Sequence, residues 1–306
     1  MAAPSSVAAP DGRAAVRDIL PRVSGIDPFL QARLESFLAE DLGRGDATSL
    51  AVVPEDARAK GFLLAKSELV ISGLDLAGEV FRLLDSDREW APRAAEGERV
   101  PAGANIAAVA GGARALLAGE RVALNLVQRM TGIATETRKY VEAVRGTSCR
   151  ILDTRKTAPG LRTFDKRAVA AGGGTNHRFG LDDGVLIKDN HIALCGGVGA
   201  AVSAARGRAP FGLRVEVEVE DEAQMRQALS SGADLLLLDN RTPAEVARLV
   251  GMARAAAPGV RIEASGSVTL ATVRAYAEAG VDFVSVGALT HSVRAGDVSL
   301  ELEPAR

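Results

Sequence analysis

From Cys149 onward the chain alternates short β-branched or leucine-rich runs with helix-like segments, and no other feature constrains the fold as strongly. The candidate strands are Arg150–Asp153, Val185–Lys188, Leu213–Val219, Asp234–Asp239, Arg261–Ala264 and Asp282–Val286. Strands separated by helices pair in parallel through right-handed crossovers. Six such units in succession predict an α/β barrel, closed or nearly closed, with its helices outside. Local punctuation agrees. Thr242-Pro243-Ala244-Glu245 reads as a capping box with proline in the first turn. Gly232 and Gly280 stand where helices should stop before the next strand.

Each of these strands finishes in something polar or small: Thr154-Arg155-Lys156, Lys188-Asp189-Asn190, Glu218, Asp239-Asn240, Ser265-Gly266 and Gly287. In a (β/α) barrel such ends converge on one face, where active sites lie. The first half reads differently. Residues 25–45 predict helices, Ala57–Ile71 and Val100–Ala110 predict strands, and Gly73, Gly97 and Gly103 predict turns. This is a mixed α/β domain without the repeat, joined to the barrel by long helical segments over residues 112–145.

Composition sets outer limits. A chain of 306 residues has room for two domains. A net charge of −2 argues against a nucleic-acid partner, and no window is apolar enough for a membrane span. Residues 1–16 are rich in Ala, Pro and Ser, which predicts a disordered start rather than a targeting signal and leaves the cytoplasm as the default. Cys149 and Cys195 form no CxxC motif and are expected to be buried free thiols, as suits a reducing compartment.

The stretch from Ile151 to His191 carries most of the chemistry. Lysines usually end up as solvated surface charges. Lys156 and Lys188, placed just after strands, instead suggest a site for a highly anionic ligand. Arg155, His177 and Arg178 add cations on the same face. The run Gly172-Gly173-Gly174 is weak alone, but leading straight into Asn176-His177-Arg178 it reads as a loop closing over an anion. Glu216, Glu218 and Glu220 alternate along one strand and so share a face. Three charges inside a barrel are costly, so some should lie near the rim, with Glu218 the best functional candidate. Asp239 ends a Leu-rich run at the same rim. Glu218 and Asp239 could hold a divalent cation or face a developing positive charge, whereas Asn240 and Asp221 fit helix capping. Ser265-Gly266 and Ser285-Val286-Gly287 sit where barrels bind phosphate through backbone N–H groups, with close strand–helix packing as the plainer alternative. His191 and His291 receive no role. Aromatic residues are only 4% of the chain, which disfavours a base-stacking or carbohydrate platform.

With these motifs in place, the chain resembles the quinolinate phosphoribosyltransferase family of type II phosphoribosyltransferases. The resemblance runs from Glu40-Asp41-Leu42-Gly43-Arg44-Gly45-Asp46 through Gly119-Glu120-Arg121-Val122-Ala123-Leu124-Asn125 and the whole Asp153–His191 stretch. It continues through Glu216–Val219, Leu235–Asn240, Glu263–Gly266 and Val286–Ser292. It implies an N-terminal α/β sandwich, here residues 25–128 after an extension of residues 1–24. An open barrel of about six or seven strands would follow over residues 129–291, with the tail 292–306 packing back on the sandwich. It implies a homodimer in which one subunit's sandwich covers the other's barrel mouth. The implied reaction joins quinolinate to phosphoribosyl pyrophosphate with Mg2+, yielding nicotinate mononucleotide, carbon dioxide and pyrophosphate for NAD biosynthesis.

By the same resemblance, Arg155, His177 and Arg178 bind the dicarboxylate, with Arg121 reaching over from the partner. Thr154, Lys156 and Lys188 match positions near the anionic substrates, and Lys156 is expected to be catalytic. Glu218 and Asp239 match positions that hold the metal and stabilise the ribose. Ser265, Gly266 and Gly287 match the 5′-phosphate site. Two positions depart from the pattern: Ser267, where a second glycine is common, and Arg167, where tyrosine is frequent. Alternatives at this level are a relative acting on another acid such as nicotinate, a molybdenum-associated paralogue, a Schiff-base lyase using Lys156 or Lys188, and a non-catalytic phosphosugar-binding protein.

Overall fold

A computed structural model of the protein describes residues 27–305, and the extension of residues 1–24 lies outside that range. In chain order the first half contains α1 (Pro28–Leu42), α2 (Ala47–Val52), β1 (Arg58–Ala65), β2 (Leu69–Val70), α3 (Leu74–Leu84), β3 (Glu89–Pro92), β4 (Arg99–Val100), β5 (Asn105–Gly112) and α4 (Ala113–Ala143). The second half runs β6 (Arg150–Leu152), α5 (Arg162–Ala171), β7 (Val185–Ile187), α6 (Asp189–Cys195), α7 (Val198–Arg208), β8 (Val215–Val219), α8 (Glu222–Ser230), β9 (Leu235–Asp239), α9 (Pro243–Ala256), β10 (Arg261–Ser265), α10 (Val273–Glu278), β11 (Phe283–Ser285), α11 (Ala288–His291) and β12 (Val298–Pro304).

The first half is built on an antiparallel sheet in the order β12-β1-β5-β3. Along β1, alternate residues are buried, as period two requires of a sheet covered on one face. Leu74, Leu76, Ala77, Val80 and Phe81 of α3 are buried in the same core. The chain's own tail supplies β12, which pairs with β1 from Ala59↔Pro304 to Ala65↔Val298. The helical segments expected over residues 112–145 are one helix, α4, of 31 residues. It buries Leu116, Val122 and Val127 nearer its start and Met130, Ile133 and Tyr140 further on. Gly132 lets the tail cross it closely, since a Cβ there would collide with the Arg294 carbonyl. Neither the amphipathic helix α3 nor the strand β3 was among the expected elements. In β3 one residue is half-buried and the rest exposed, so no apolar alternation marks it.

The second half is a six-stranded parallel sheet in the order β6-β11-β10-β9-β8-β7. Every strand expected from the sequence is present, with ends shifted by at most two residues. The sheet does not close through a β6–β7 ladder. Instead, Thr175 makes a single parallel bridge to Leu152, so the segment leading to His177 takes the seventh position. Thr242 and Glu245 form the expected capping box at α9. Gly232 and Gly280 adopt φ of 91° and 91°, the left-handed region that glycine enters without strain.

Two expectations fail in part: Asp221 caps α8 as expected, but Thr242 rather than Asn240 caps α9, and the two cysteines differ in burial. Cys149 is buried, and burial, then the Asp282 charge, pushes its thiol up to about 12. Cys195 is exposed instead. It ends the short helix α6, which has no buried residue at all. Among the described residues no helix is long and apolar enough to cross a membrane.

Candidate active site

The end of β6 anchors the cationic loop. Asp153 and Lys166 are both buried, and Lys166 Nζ donates to Asp153 Oδ1 at 2.5 Å. Asp153 also accepts the His177 N–H at 2.8 Å, and the Asn176 amide, oriented to satisfy its neighbours, donates to Asp153 Oδ2 at 2.8 Å. Lys166 further donates to the His177 carbonyl at 2.9 Å. Burial raises the Asp153 pKa, and the Lys166 ammonium works against that rise. The glycine run before this loop is explained by packing. A Cβ on Gly172 would strike the Ala134 carbonyl and Thr137, and one on Gly174 would strike Val169.

This anchoring brings two arginines together. Arg178 Nη1 donates to the Gly184 carbonyl at 2.8 Å, and its guanidinium is half-buried. Burial first, then the neighbouring Arg155 charge, lowers the Arg178 pKa. Arg155 in turn has a buried Nε with no hydrogen-bond partner. Two guanidiniums near enough to repel each other, one with an unsatisfied buried donor, form a place whose strain an anion would relieve.

The other strand ends complete the mouth. Lys156 is exposed, its amide held by the Thr154 hydroxyl at 3.0 Å and its carbonyl by the Thr290 hydroxyl at 2.9 Å. A Cβ on Gly287 would meet the Lys156 stem and the His291 ring at 3.1 Å each, so this glycine allows both to approach. Lys188 Nζ pairs with Glu218 Oε2 at 2.9 Å. Asp239 lies on the next strand, one residue beyond the Val219↔Leu238 pair. Ser265 is its register partner on β10.

A second layer lies deeper. Glu216 is buried and Glu218 half-buried on β8, and Glu220, one residue past its end, is exposed, so the three acids grade from core to rim. His177 turns its Nε2 toward Glu216 at 3.2 Å and Glu263 at 3.5 Å. Burial opposes charge on this imidazole, but the two carboxylates outweigh it and push its pKa up to about 10. The Arg178 N–H donates to Nδ1 at 2.7 Å, which leaves the ring proton on Nε2, between the carboxylates. This trio lines a cavity of about 330 Å³ together with Arg150, Arg178 and Arg214.

Residues 46–131 match the model of the quinolinate phosphoribosyl transferase N-terminal domain, and residues 133–301 match that of the C-terminal domain. The chain belongs to the quinolinate phosphoribosyltransferase family. It is 43% identical over 273 residues to a probable nicotinate-nucleotide pyrophosphorylase [carboxylating] of Bacillus subtilis, covering 89% of this chain and 93% of the relative. It is 45% identical over 270 residues to the nicotinate-nucleotide pyrophosphorylase [carboxylating] of Mycobacterium leprae, covering 87% and 94%. The crystal structure of NadC from Streptococcus pyogenes superposes with a TM-score of 0.87 at 38% identity, covering 92% of this chain and all of that one.

Against this family background, the structure brings Thr154, Arg155, Lys156, Lys188, Glu218, Asp239, Ser265, Gly266 and Gly287 to one end of the barrel, with Arg178 beside Arg155. His177 reaches inward, with both ring nitrogens facing groups of its own chain. Arg121 is exposed on α4 and, among the described residues, makes no ion pair or side-chain hydrogen bond. Sequence reading passed over Asp153, Lys166 and Glu263. Asp153 follows directly on an apolar run, as Asp239 does, and that position was the available signal. Nothing local in the sequence pairs it with Lys166.

Proposed function

We propose that this chain transfers the phosphoribosyl group of phosphoribosyl pyrophosphate to quinolinate with loss of carbon dioxide, giving nicotinate mononucleotide and pyrophosphate in NAD biosynthesis. The observation that carries this reading is the Arg155–Arg178 pair with its unpartnered buried Nε. Planar guanidiniums suit bidentate binding of the two carboxylates on one small ring. His177 adds a third donor for which quinolinate would compete with Glu216 and Glu263.

In this reading Lys156 and Lys188 neutralise the anionic substrates, and the Ser265–Gly266 and Gly287 backbone receives the 5′-phosphate. Glu218 and Asp239 face the ribose as its C1 becomes cationic. The ring nitrogen attacks there, and pyrophosphate leaves. Once ribosylated, the ring is a pyridinium that can hold the electron pair left on its carbon when carbon dioxide departs, and a proton from solvent then takes the place of the lost carboxylate. The protein orients the two substrates and places charge, without a covalent nucleophile.

The acids also fit Mg2+. Glu218 and Asp239 offer hard oxygen donors on adjacent strands, and one or two carboxylates plus substrate phosphates make the usual magnesium site. Bound there, the ion would screen the pyrophosphate charge. The deeper His177–Glu216–Glu263 cluster includes a nitrogen donor and suits magnesium less well. We further place the enzyme in the cytoplasm as a homodimer in which Arg121 completes the partner's site; its exposure and unpaired charge support this.

The test is an assay of the purified protein with phosphoribosyl pyrophosphate, Mg2+ and either quinolinate or nicotinate, following nucleotide and carbon dioxide. Quinolinate should be turned over and nicotinate hardly at all, because a site built for a charged partner is left with unpaired cations by an analogue lacking it. Comparable kcat/KM for the two acids would refute the reading.

A further inference from the structure

Among the described residues, two non-glycine residues have positive φ: Asn240 at 51° and Ser267 at 46°. They flank neighbouring strand ends, just past β9 and β10, on the face where the site lies. A side chain held in the left-handed region is uncommon and persists where its surroundings enforce it. The contacts of Asn240 show what enforces it here. Its Nδ2 donates to Asp239 Oδ2 at 2.6 Å, and its backbone N–H donates to the Ser265 carbonyl at 3.0 Å. Gly266, with φ of 96°, lies against the Asn240 amide so closely that a Cβ would meet the Asn240 nitrogen at 2.7 Å and collide with Oδ1. The next residue is held too, because the Tyr276 hydroxyl donates to the Arg241 carbonyl at 2.8 Å.

We propose that Asn240 is a positioning residue that ties the Asp239 carboxylate to the Ser265–Gly266 turn, so that the group facing the ribose and the turn facing the 5′-phosphate act as one rigid unit. This inference rests on the reading above. It also explains why asparagine stands at this position. Glycine would tolerate the positive φ but could not donate to Asp239. Aspartate tolerates the conformation nearly as well but replaces the donor with a second negative charge. Alanine supplies neither property. Asparagine supplies both.

The role predicts a selective defect. Asp239 and the Ser265–Gly266 turn both serve the phosphoribosyl half of the reaction, whereas the pyridine acid is gripped by Arg155 and Arg178. Asn240→Gly and Asn240→Asp, made in the full chain, should therefore raise KM for phosphoribosyl pyrophosphate on the order of ten- to a hundredfold, the effect of losing one hydrogen bond to a charged group. KM for quinolinate should stay near the parental value, and so should the melting temperature, since both replacements accept the backbone conformation. Calorimetric titration with phosphoribosyl pyrophosphate and Mg2+ should show the same loss of affinity without any turnover. Parental affinity for phosphoribosyl pyrophosphate in both variants would overturn the proposal. So would an equal rise in both KM values with a fall in melting temperature, the mark of a merely structural residue. If the parent protein binds phosphoribosyl pyrophosphate but does not consume quinolinate, the proposed acceptor is wrong, and the titration still decides the role of Asn240. If the parent does not bind phosphoribosyl pyrophosphate at all, both readings fall.

Discussion

Replacing Lys166 with methionine removes the charge that compensates Asp153 while nearly preserving side-chain length. Lys166 and Asp153 are 3% and 0% exposed, so water cannot take the place of the lost ammonium. Breaking a buried ion pair on one side typically costs about 3–5 kcal/mol. For a chain of this size that corresponds to a fall in melting temperature of roughly 5–8 °C, read by scanning calorimetry. The sign of the pH dependence follows from Asp153. Its folded pKa already lies above the usual carboxylate value because of burial, and removing Lys166 takes away the main opposing influence. A carboxylate whose folded pKa is raised favours the folded state when protonated and loses that support as pH rises through the folded pKa. The deficit of Lys166→Met should therefore be largest at alkaline pH and shrink as pH falls and Asp153 takes up its proton. Adding Asp153→Asn should recover much of the loss at the higher pH, since a pair replaced on both sides leaves no buried charge. A Lys166→Met protein that melts like the parent, or a deficit that grows as pH falls, would refute the account. Because Asp153 also holds Asn176 and the His177 amide, KM for quinolinate should rise in the single variant.

Two further expectations are simpler to read. A thiol reagent should modify Cys195 rapidly in the native protein and Cys149 only on unfolding, as mass mapping would show; early labelling of Cys149 would contradict its burial and raised pKa. Arg121→Ala and Lys156→Ala should each be nearly inactive alone. After joint unfolding and refolding, mixed dimers should regain activity, because one site carries both lesions and the other neither. Absence of recovery, with mixed dimers shown to have formed, would exclude a shared site.

The barrel was legible because its signal is local and repeated. Each βα unit carries its own apolar run, and some add a cap or a stop, as at Thr242, Glu245 and Gly232, so neighbouring units corroborate one another. The strand-end rule then puts Lys156, Glu218, Asp239 and Ser265 on one face. The sandwich was less legible. Strand β3 shows no alternation, and although Val298–Glu303 alternates apolar and polar residues, its pairing with the distant β1 is not written in local pattern.

By itself the sequence determined which residues stand at the mouth of the barrel, because period and connection handedness leave a parallel sheet little freedom. Only the tertiary structure decided how those residues are held and charged. The Asp153–Lys166 pair spans α5 and the end of β6, His177 crosses the barrel to Glu216 and Glu263, and Asn240 meets Gly266 from the neighbouring strand. Each of these contacts joins residues distant in the chain or on different strands. Their energies depend on burial and on distances of a few ångströms, and neither quantity exists until the chain has folded.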